Sequence, residues 1–434
     1  MNPLGFYSWQ LQKTNLDEKK PRVVILHAED GSGKTTIAKR FCTRYHGRYF
    51  SFHNLESTTA MKLFAPECQT WQDFFQWLCA KEKRPAIVFD DVDERNDKEE
   101  FLKALCESVN KKLFVVLCCR KAISLSCPTR DMPIARLSTA EVQSIAHCED
   151  RMDTLRLCVI TDGIPELVYL YDPDRSFLEN IGAFFTPGSA YLRYAERRLR
   201  QEFRSPESYN TLLCGMGMGN HRNNELSSFS GFPKNKVDKY LDSLDEAGMI
   251  RKFPCICENR QERMHYFIKG YYWGLVYHYW FPNQMQYWSG APTDVLKTWI
   301  QEIDEDDVMD LFQKMAMWWV DDFAFRDLLR DQRGLDTPCE YSATVYGITF
   351  DILGSTKKYT LYLKTWTSTT ERFPKSLYEQ IEKATTRRRP FFMNHYFFAS
   401  IQPIPRFLIT LREKYPNVHA IDLKGLIWNR GQGF

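Results

Sequence analysis

Residues 23–41, VVILHAEDGSGKTTIAKRF, place small residues, a lysine and two threonines between an apolar run and a helix-forming run. Such a loop can hold phosphate. Small residues let successive backbone N–H groups converge on one oxygen cluster at a helix N-terminus. In the pattern Ala28-Glu29-Asp30-Gly31-Ser32-Gly33-Lys34-Thr35-Thr36, Lys34 is expected to reach the β- and γ-phosphate oxygens, and the Thr35 hydroxyl to ligate Mg²⁺. Ala28 stands where this pattern usually begins with glycine. The expected ligand is a nucleoside triphosphate with Mg²⁺, bound by residues 29–36.

Hydrolysis needs carboxylates nearby. The segment RPAIVFDDVDE, residues 84–94, is a short apolar run ending in Asp90-Asp91. A carboxylate at such a strand end can hold metal-bound water, and its neighbour can polarise the attacking water. Asp90 is assigned to Mg²⁺ and Asp91 to water activation. A third apolar run, KKLFVVLCCRKAI at 111–123, leads to Arg120. That arginine could stabilise charge at the γ-phosphate, or be an ordinary surface cation.

These residues demand a scaffold in which strands alternate with helices. The succession strand, loop, helix, strand, helix, strand is the rhythm of a doubly wound parallel sheet. The chain of 434 residues, 44% apolar and 15% aromatic, is long enough for several packed domains. A net charge of +3 exerts no global pull toward nucleic acid or anionic membrane, so any basic footprint must be local. No uncharged apolar stretch approaches the length of a membrane span, and the opening residues lack a signal-peptide pattern. A cytoplasmic location without a membrane partner is expected. In that setting the thirteen cysteines read as reduced, mostly buried thiols; Cys255 and Cys257 lack a second pair at zinc spacing.

The arginine-tipped run together with VITDGIPELVYLY (159–171) resembles the STAND class of P-loop ATPases, in its archaeal-type branch. Three later stretches are similar to that branch. YLRYAERRLRQEFRSPESYNTLL looks like its helical connector, GFPKNKVDKYLDSLDEAGMIRKF like its winged helix, and HYFIKGYYWGLVYHYWFPNQ like the aromatic segment before its nuclease-like domain. The resemblance implies a P-loop ATPase domain over 1–160, a helical connector over 161–204, a winged helix over 205–264, and an aromatic-rich segment with an α+β nuclease-like domain over 265–434. It further implies a nucleotide-driven switch in which Pro165 contacts the base or senses the nucleotide. From the residues alone, Gly163-Ile164-Pro165 is simply a loop before a helix. Members of the branch usually open with a Phe-x-x-Arg-Glu type segment; MNPLGFYSWQLQK has none, which leaves the base contacts unassigned.

In the middle region, Val237, Tyr240, Leu241, Leu244 and Ala247 recur at helical spacing, with Gly248 as the stop. Lys234, Lys236 and Lys239 on that helix, and Arg251 on the following strand, are candidates for double-stranded DNA contact. Arg193, Arg197, Arg198, Arg200 and Arg204 form a second basic cluster. A solvated charged face explains either group as well, and winged helices also serve as protein-docking or intramolecular switch modules; another protein or a further copy of the chain is the expected partner. The aromatics at 265–288 are too crowded to be mostly exposed and read as packing.

TVYGITFDILGSTKKYTLYLKTW (344–366) reads as two strands joined by a turn. It resembles the core of restriction-endonuclease-like nucleases, with Asp351 and Lys364 in the expected places and Tyr362 where a second acid belongs. One carboxylate does not readily hold the metal, so nuclease activity is expected to be absent. Glu340 is a candidate replacement acid, and Arg387-Arg388-Arg389 a candidate phosphate contact. The expected function is an ATP-hydrolysing switch, with phage defence or mobile-element biology suggested by the family. An active ATP-dependent DNA nuclease and a non-hydrolysing interaction module are the rivals.

Overall fold

The computed structural model describes residues 3–17, 20–52, 56–81, 86–94, 97–109, 113–256, 262–288, 298, 307–323, 337–339, 343–345, 348–355, 359–368, 373, 375–386 and 394–429. They divide into two compact units: residues 1–137 with 164–170, and residues 138–163 with 171–434. Segment 138–163, which follows the sheet in sequence, therefore belongs with the second unit, while Ile164–Leu170 returns to the first. Among the described residues no helix is long and apolar enough to cross a membrane.

The first unit is built on five parallel strands in the order β2-β3-β4-β1-β5, namely β1 (Val23–His27), β2 (Arg48–Ser51), β3 (Ala86–Asp90), β4 (Phe114–Cys119) and β5 (Thr129–Pro133). The apolar runs explain why the sheet is covered on both faces. Along β1, Val23 and Ile25 enter one core while Val24 and Leu26 enter the other; along β4, Val115 and Leu117 oppose Phe114, Val116 and Cys118. The first core is aromatic, with Trp71, Phe74 and Phe75 from helix Trp71–Lys81 and Phe101 from helix Lys98–Ser108. The second is closed by Ile37, Ala38 and Phe41 from helix Lys34–Tyr45 and by Leu11 from helix Pro3–Leu16. Fully burying each such side chain stabilises the unit by about 1.5–3 kcal/mol. Strands β2 and β5, at the two edges, are additions to what the apolar runs announced.

The second unit opens with helix Thr139–Ala146, started by a capping box between Ser138 and Glu141. Helices Phe177–Phe184 and Ala190–Glu202 follow, then Pro206–Gly217, Asn223–Ser230 and Lys234–Glu246, and then an antiparallel hairpin of β6 (Ile250–Ile256) and β7 (Glu262–Ile268). The helical stripe is buried as its spacing requires: Val237, Leu241 and Leu244 are each 0% exposed.

The aromatic segment packs. Tyr272, Trp273, Tyr277, Tyr279 and Trp280 are buried, and the three most enclosed hydroxyls in this layer find acceptors. Tyr272 donates to the Tyr191 carbonyl at 2.7 Å, Tyr191 to the Ile160 carbonyl at 2.7 Å, and Tyr277 to Asn210 Oδ1 at 2.7 Å. A π-helical turn, Val276–Trp280, brings this segment against Gly217. A Cβ at Gly217 would lie 2.2 Å from the Tyr277 carbonyl oxygen, so only glycine permits the approach. Gly217→Ala is expected to lower the stability of the second unit by about 3 kcal/mol, because backbone rather than a rotatable side chain must yield. Urea unfolding followed by tryptophan fluorescence measures this; an unchanged midpoint contradicts the packing.

The C-terminal sheet has the order β14-β13-β12-β11-β8, with β8 (Thr337–Cys339), β11 (Ile352–Ser355), β12 (Thr360–Trp366), β13 (Asn394–Ser400) and β14 (Val418–Asp422); a separate pair is formed by β9 (Ala343–Val345) and β10 (Ile348–Phe350). Strands β12, β13 and β14 are parallel, whereas β8, β11 and β12 are antiparallel. The stretch read as two strands is thus three after Val345, because the chain breaks at Asp351 between β10 and β11. Glu340, Cys257 and Arg387–Arg389 lie outside the described residues.

Candidate nucleotide-binding site

β1 ends at His27, and the chain turns through Ala28–Gly33 into helix Lys34–Tyr45. Gly31 and Gly33 sit at φ 79° and 89°, a left-handed backbone that residues with a Cβ rarely adopt. Gly33 caps the helix and, lacking a side chain, makes no side-chain cap bond to its first N–H groups. That leaves donors for an anion where the helix dipole favours one. Among the described residues the buried Ser32 hydroxyl oxygen has no hydrogen-bond partner, an orphan group that a ligand in this loop could satisfy. Thr35 is half-buried and Thr36 exposed on the first helical turn.

Lys34 is 9% exposed and its ammonium lies back on the loop: 2.6 Å from the Ala28 carbonyl, 2.9 Å from that of Glu29 and 3.4 Å from Asp30 Oδ1. All three N–H donors are engaged. The Asp30 contact is the longest, so it is the one a phosphate oxygen would replace at least cost. Glu29 meanwhile pairs with Arg136 at 3.1 Å, an exposed contact that adds little stability.

Asp90 ends β3 and is 1% exposed. A buried carboxylate must be compensated. Tyr49 on β2 donates to its Oδ2 at 2.8 Å, and the Asp91 backbone N–H donates to its Oδ1 at 3.0 Å. Burial first, then the Asp90 charge and hydrogen bond, push the Tyr49 phenol up, so it remains a donor. Each carboxylate oxygen keeps a further lone pair free for metal or water. Asp91 adopts φ 60°, and Ser51 of β2 donates to its Oδ2 at 2.9 Å. Asp is among the few residues that tolerate this conformation, and it turns the side chain out of the β3 line.

Between β1 and β3 lies β4. The register pairs Leu26 with Cys118 and Phe89 with Leu117, so the ends of β1 and β3 flank the end of β4, where burial first and then Asp90 push the Cys118 thiol well up. Arg120 follows directly. Asp93 accepts from its backbone N–H and also holds Lys98 at 3.2 Å, while the Arg120 guanidinium has no hydrogen-bond or ion-pair partner among the described residues. Pro165 arrives from far along the chain. It starts the short helix Pro165–Val168, whose Glu166 backbone N–H donates to the Gly31 carbonyl at 3.0 Å. Helix Pro165–Val168 is therefore fastened to the phosphate loop itself. Sequence reasoning missed Tyr49, Ser51 and Arg136. Tyr49 and Ser51 lie on a four-residue edge strand with no long apolar run to announce it.

The basic candidates are placed differently. Lys234, Lys239 and Arg251 are exposed, but Lys236 is held 4.2 Å above the Phe232 ring and 5.4 Å from Tyr240. Helix Lys234–Glu246 carries three lysines against four acids, Asp238, Asp242, Asp245 and Glu246. In the second cluster Arg198 is buried and paired with Glu202 at 3.3 Å, which removes it from any surface contact. In the C-terminal sheet Lys364 lies 3.0 Å from Asp351, whose other oxygen accepts from the Thr365 N–H at 2.6 Å and hydroxyl at 2.8 Å. Tyr362, on the same face of β12 as Lys364, stacks on Tyr396 at 5.3 Å. Among the described residues no group of three His, Cys, Asp or Glu could hold a metal ion.

Known proteins can be set beside this geometry. Residues 10–126 match the model of the family described as novel STAND NTPase 5. An uncharacterised protein of Methanocaldococcus jannaschii is 28% identical over 124 residues, which is 28% of this chain and 28% of that protein; the match thus spans little more than a quarter of either. Among solved structures, a Walker-type ATPase of Pyrococcus abyssi aligns with TM-score 0.45 and 12% identity over 62% of this chain and 94% of its own. A STAND protein with a tetratricopeptide repeat sensor from Pyrococcus horikoshii gives TM-score 0.30 and 12% identity over 74% and 51%. The Aeropyrum pernix Orc1 protein, solved in complex with DNA, gives 0.37 and 11% over 65% and 93%. The segment that carries the phosphate loop, Asp90, Asp91 and Arg120 is thus similar in sequence to STAND-type P-loop NTPases.

Proposed function

We propose that this chain binds ATP with Mg²⁺ and hydrolyses it as a cytoplasmic STAND-type molecular switch. The observation that carries the reading is the left-handed Gly31/Gly33 loop at a helix N-terminus, with the Lys34 ammonium drawn over it. In this reading the backbone N–H groups of residues 29–33 cradle the phosphates, Lys34 moves from Asp30 to a phosphate oxygen, and Thr36 borders the same pocket. Mg²⁺, when bound through Thr35 and Asp90, supplies charge neutralisation on the phosphate oxygens. Tyr49 keeps Asp90 oriented, Asp91 draws a proton from the attacking water, and Arg120 answers to charge at the γ-phosphate. Pro165 transmits the state of the loop to the segment that follows. Titration calorimetry should detect ATP binding that disappears when EDTA removes Mg²⁺, accompanied by slow phosphate release. Wild-type protein that binds no ATP with Mg²⁺ present would sink the reading.

In the same proposal residues 205–264 form a winged helix, with Lys234, Lys236, Lys239 and Arg251 as candidate DNA contacts, Lys236 from its place over the Phe232 ring, and its remaining faces open to a protein partner or a second copy. The acids on the same helix favour the docking role over strong DNA affinity. The setting in phage defence or mobile-element biology rests on the family resemblance. The C-terminal domain is read as a nuclease-like fold that no longer cuts. Lys364 is tied to the single carboxylate of Asp351, and Tyr362 offers a phenol where a second acid would be needed. Purified protein should leave DNA and RNA intact on gels with Mg²⁺ or Mn²⁺, with or without ATP. Cleavage that vanishes in Asp351→Ala would reverse this.

A further inference from the structure

The loop from Arg120 to Pro128 leaves β4 and reaches β5 without regular structure. It is anchored by Ile123, Leu125 and Cys127, which pack on the core shared with helix Lys98–Ser108. From that helix Cys106 brings its Sγ to 2.9 Å from Cys127 Sγ. Both are free thiols and both are partly exposed. A disulfide bond is ~2.05 Å long, so less than about 1 Å of sulfur movement separates this contact from a bond.

We propose that Cys106 and Cys127 form a redox-modification site, at which hydrogen peroxide converts the thiol pair into a disulfide tethering the Arg120 loop to helix Lys98–Ser108. The contrast with the other cysteines supports it. Cys42, Cys119 and Cys214 are pushed up to about 12 by burial and are inert thiols. At Cys106 burial also pushes upward, but the hydrogen bonds around its sulfur, with the Cys127 and Ser126 side chains and backbone, overcome it and bring the thiol below its usual range. Cys127 is pushed up to about 12, by burial first and then by its contact with Cys106. Cys106, the one lowered, is taken as the attacking sulfur and Cys127 as the resolving one.

The chemistry balances in two steps. The Cys106 thiolate attacks one peroxide oxygen, the O–O bond breaks, and hydroxide leaves with a sulfenic acid formed on Cys106. The Cys127 sulfur then attacks the Cys106 sulfur; the S–S bond forms, the S–O bond breaks, and the departing hydroxide takes the thiol proton as water. Two thiols lose two electrons and two protons in total, and one peroxide becomes two waters.

Neither readout of the test involves nucleotide, so the site stands or falls independently of the proposed ATPase. The native full-length protein is treated with a few-fold molar excess of hydrogen peroxide, alkylated and mapped by mass spectrometry. A peptide linking Cys106 to Cys127, lighter by two hydrogen atoms, is expected; dithiothreitol should reverse it, and Cys106→Ser or Cys127→Ser should abolish it. Tryptic cleavage after Arg120 and Lys121 should slow several-fold in the oxidised wild type and stay unchanged in peroxide-treated Cys127→Ser. Both thiols remaining alkylatable, or either pairing instead with a third cysteine, would overturn the site. A cross-link that leaves tryptic cleavage as fast as before would overturn the tether.

Discussion

Lys34→Ala should weaken Mg²⁺–ATP binding by about 100-fold or more while leaving the fold intact. In the structure this ammonium hydrogen-bonds to loop acceptors, the Ala28 and Glu29 carbonyls and Asp30, and Lys34 is in neither apolar core cluster among the described residues. Its removal therefore takes one positive charge from the phosphate position and little from packing. A charge-assisted hydrogen bond in a largely enclosed site contributes about 1.5–3 kcal/mol, and the phosphates offer Lys34 more than one oxygen, so a loss of about 3 kcal/mol is expected. That corresponds to roughly two decades in Kd. Calorimetry on the variant measures it, and circular dichroism checks the fold. Unchanged affinity would mean that residues 28–36 hold no nucleotide.

Asp91→Asn should leave ATP affinity near the wild-type value and lower turnover by about 10²–10⁴-fold, the range of a lost general base. The substitution is clean for two structural reasons. Asp91 sits at φ 60°, which Asn tolerates as well as Asp, so the backbone turn survives. Ser51 can still donate to the amide oxygen, so the side chain keeps its direction. Asp90 remains buried with both its donors and still offers a metal ligand. Single-turnover phosphate release read beside equilibrium binding separates the two effects. Turnover at the wild-type rate would make Asp91 a turn residue and pass the water to another group.

Much of the first unit was legible from the chain. Three apolar β-branched runs predicted β1, β3 and β4, because strands buried on both faces must be apolar at every position. The spacing Gly31-x-Gly33-Lys34 predicted the phosphate loop, because left-handed glycines beside a helix start leave few other structures. The crowding of aromatics in 265–288 predicted burial, since so much apolar area cannot be left in water. Residue types and local periodicity suffice for such features.

Tertiary structure decided the rest, because it depends on neighbours distant in sequence. Tyr49 and Ser51 belong to an edge strand of four residues, too short to show a period, and they become partners of Asp90 and Asp91 only through the pairing of β2 with β3. Pro165 was a loop residue until the Glu166–Gly31 hydrogen bond fastened it to the phosphate loop. Lys236 and Arg198 counted as available cations in the sequence, yet one lies on aromatic rings and the other is buried beside Glu202. Cys106 and Cys127, 21 residues apart, meet only because a helix and a loop cover the same core. Charge and thiol chemistry are properties of residue types; what each group faces is set by the packing of the whole chain.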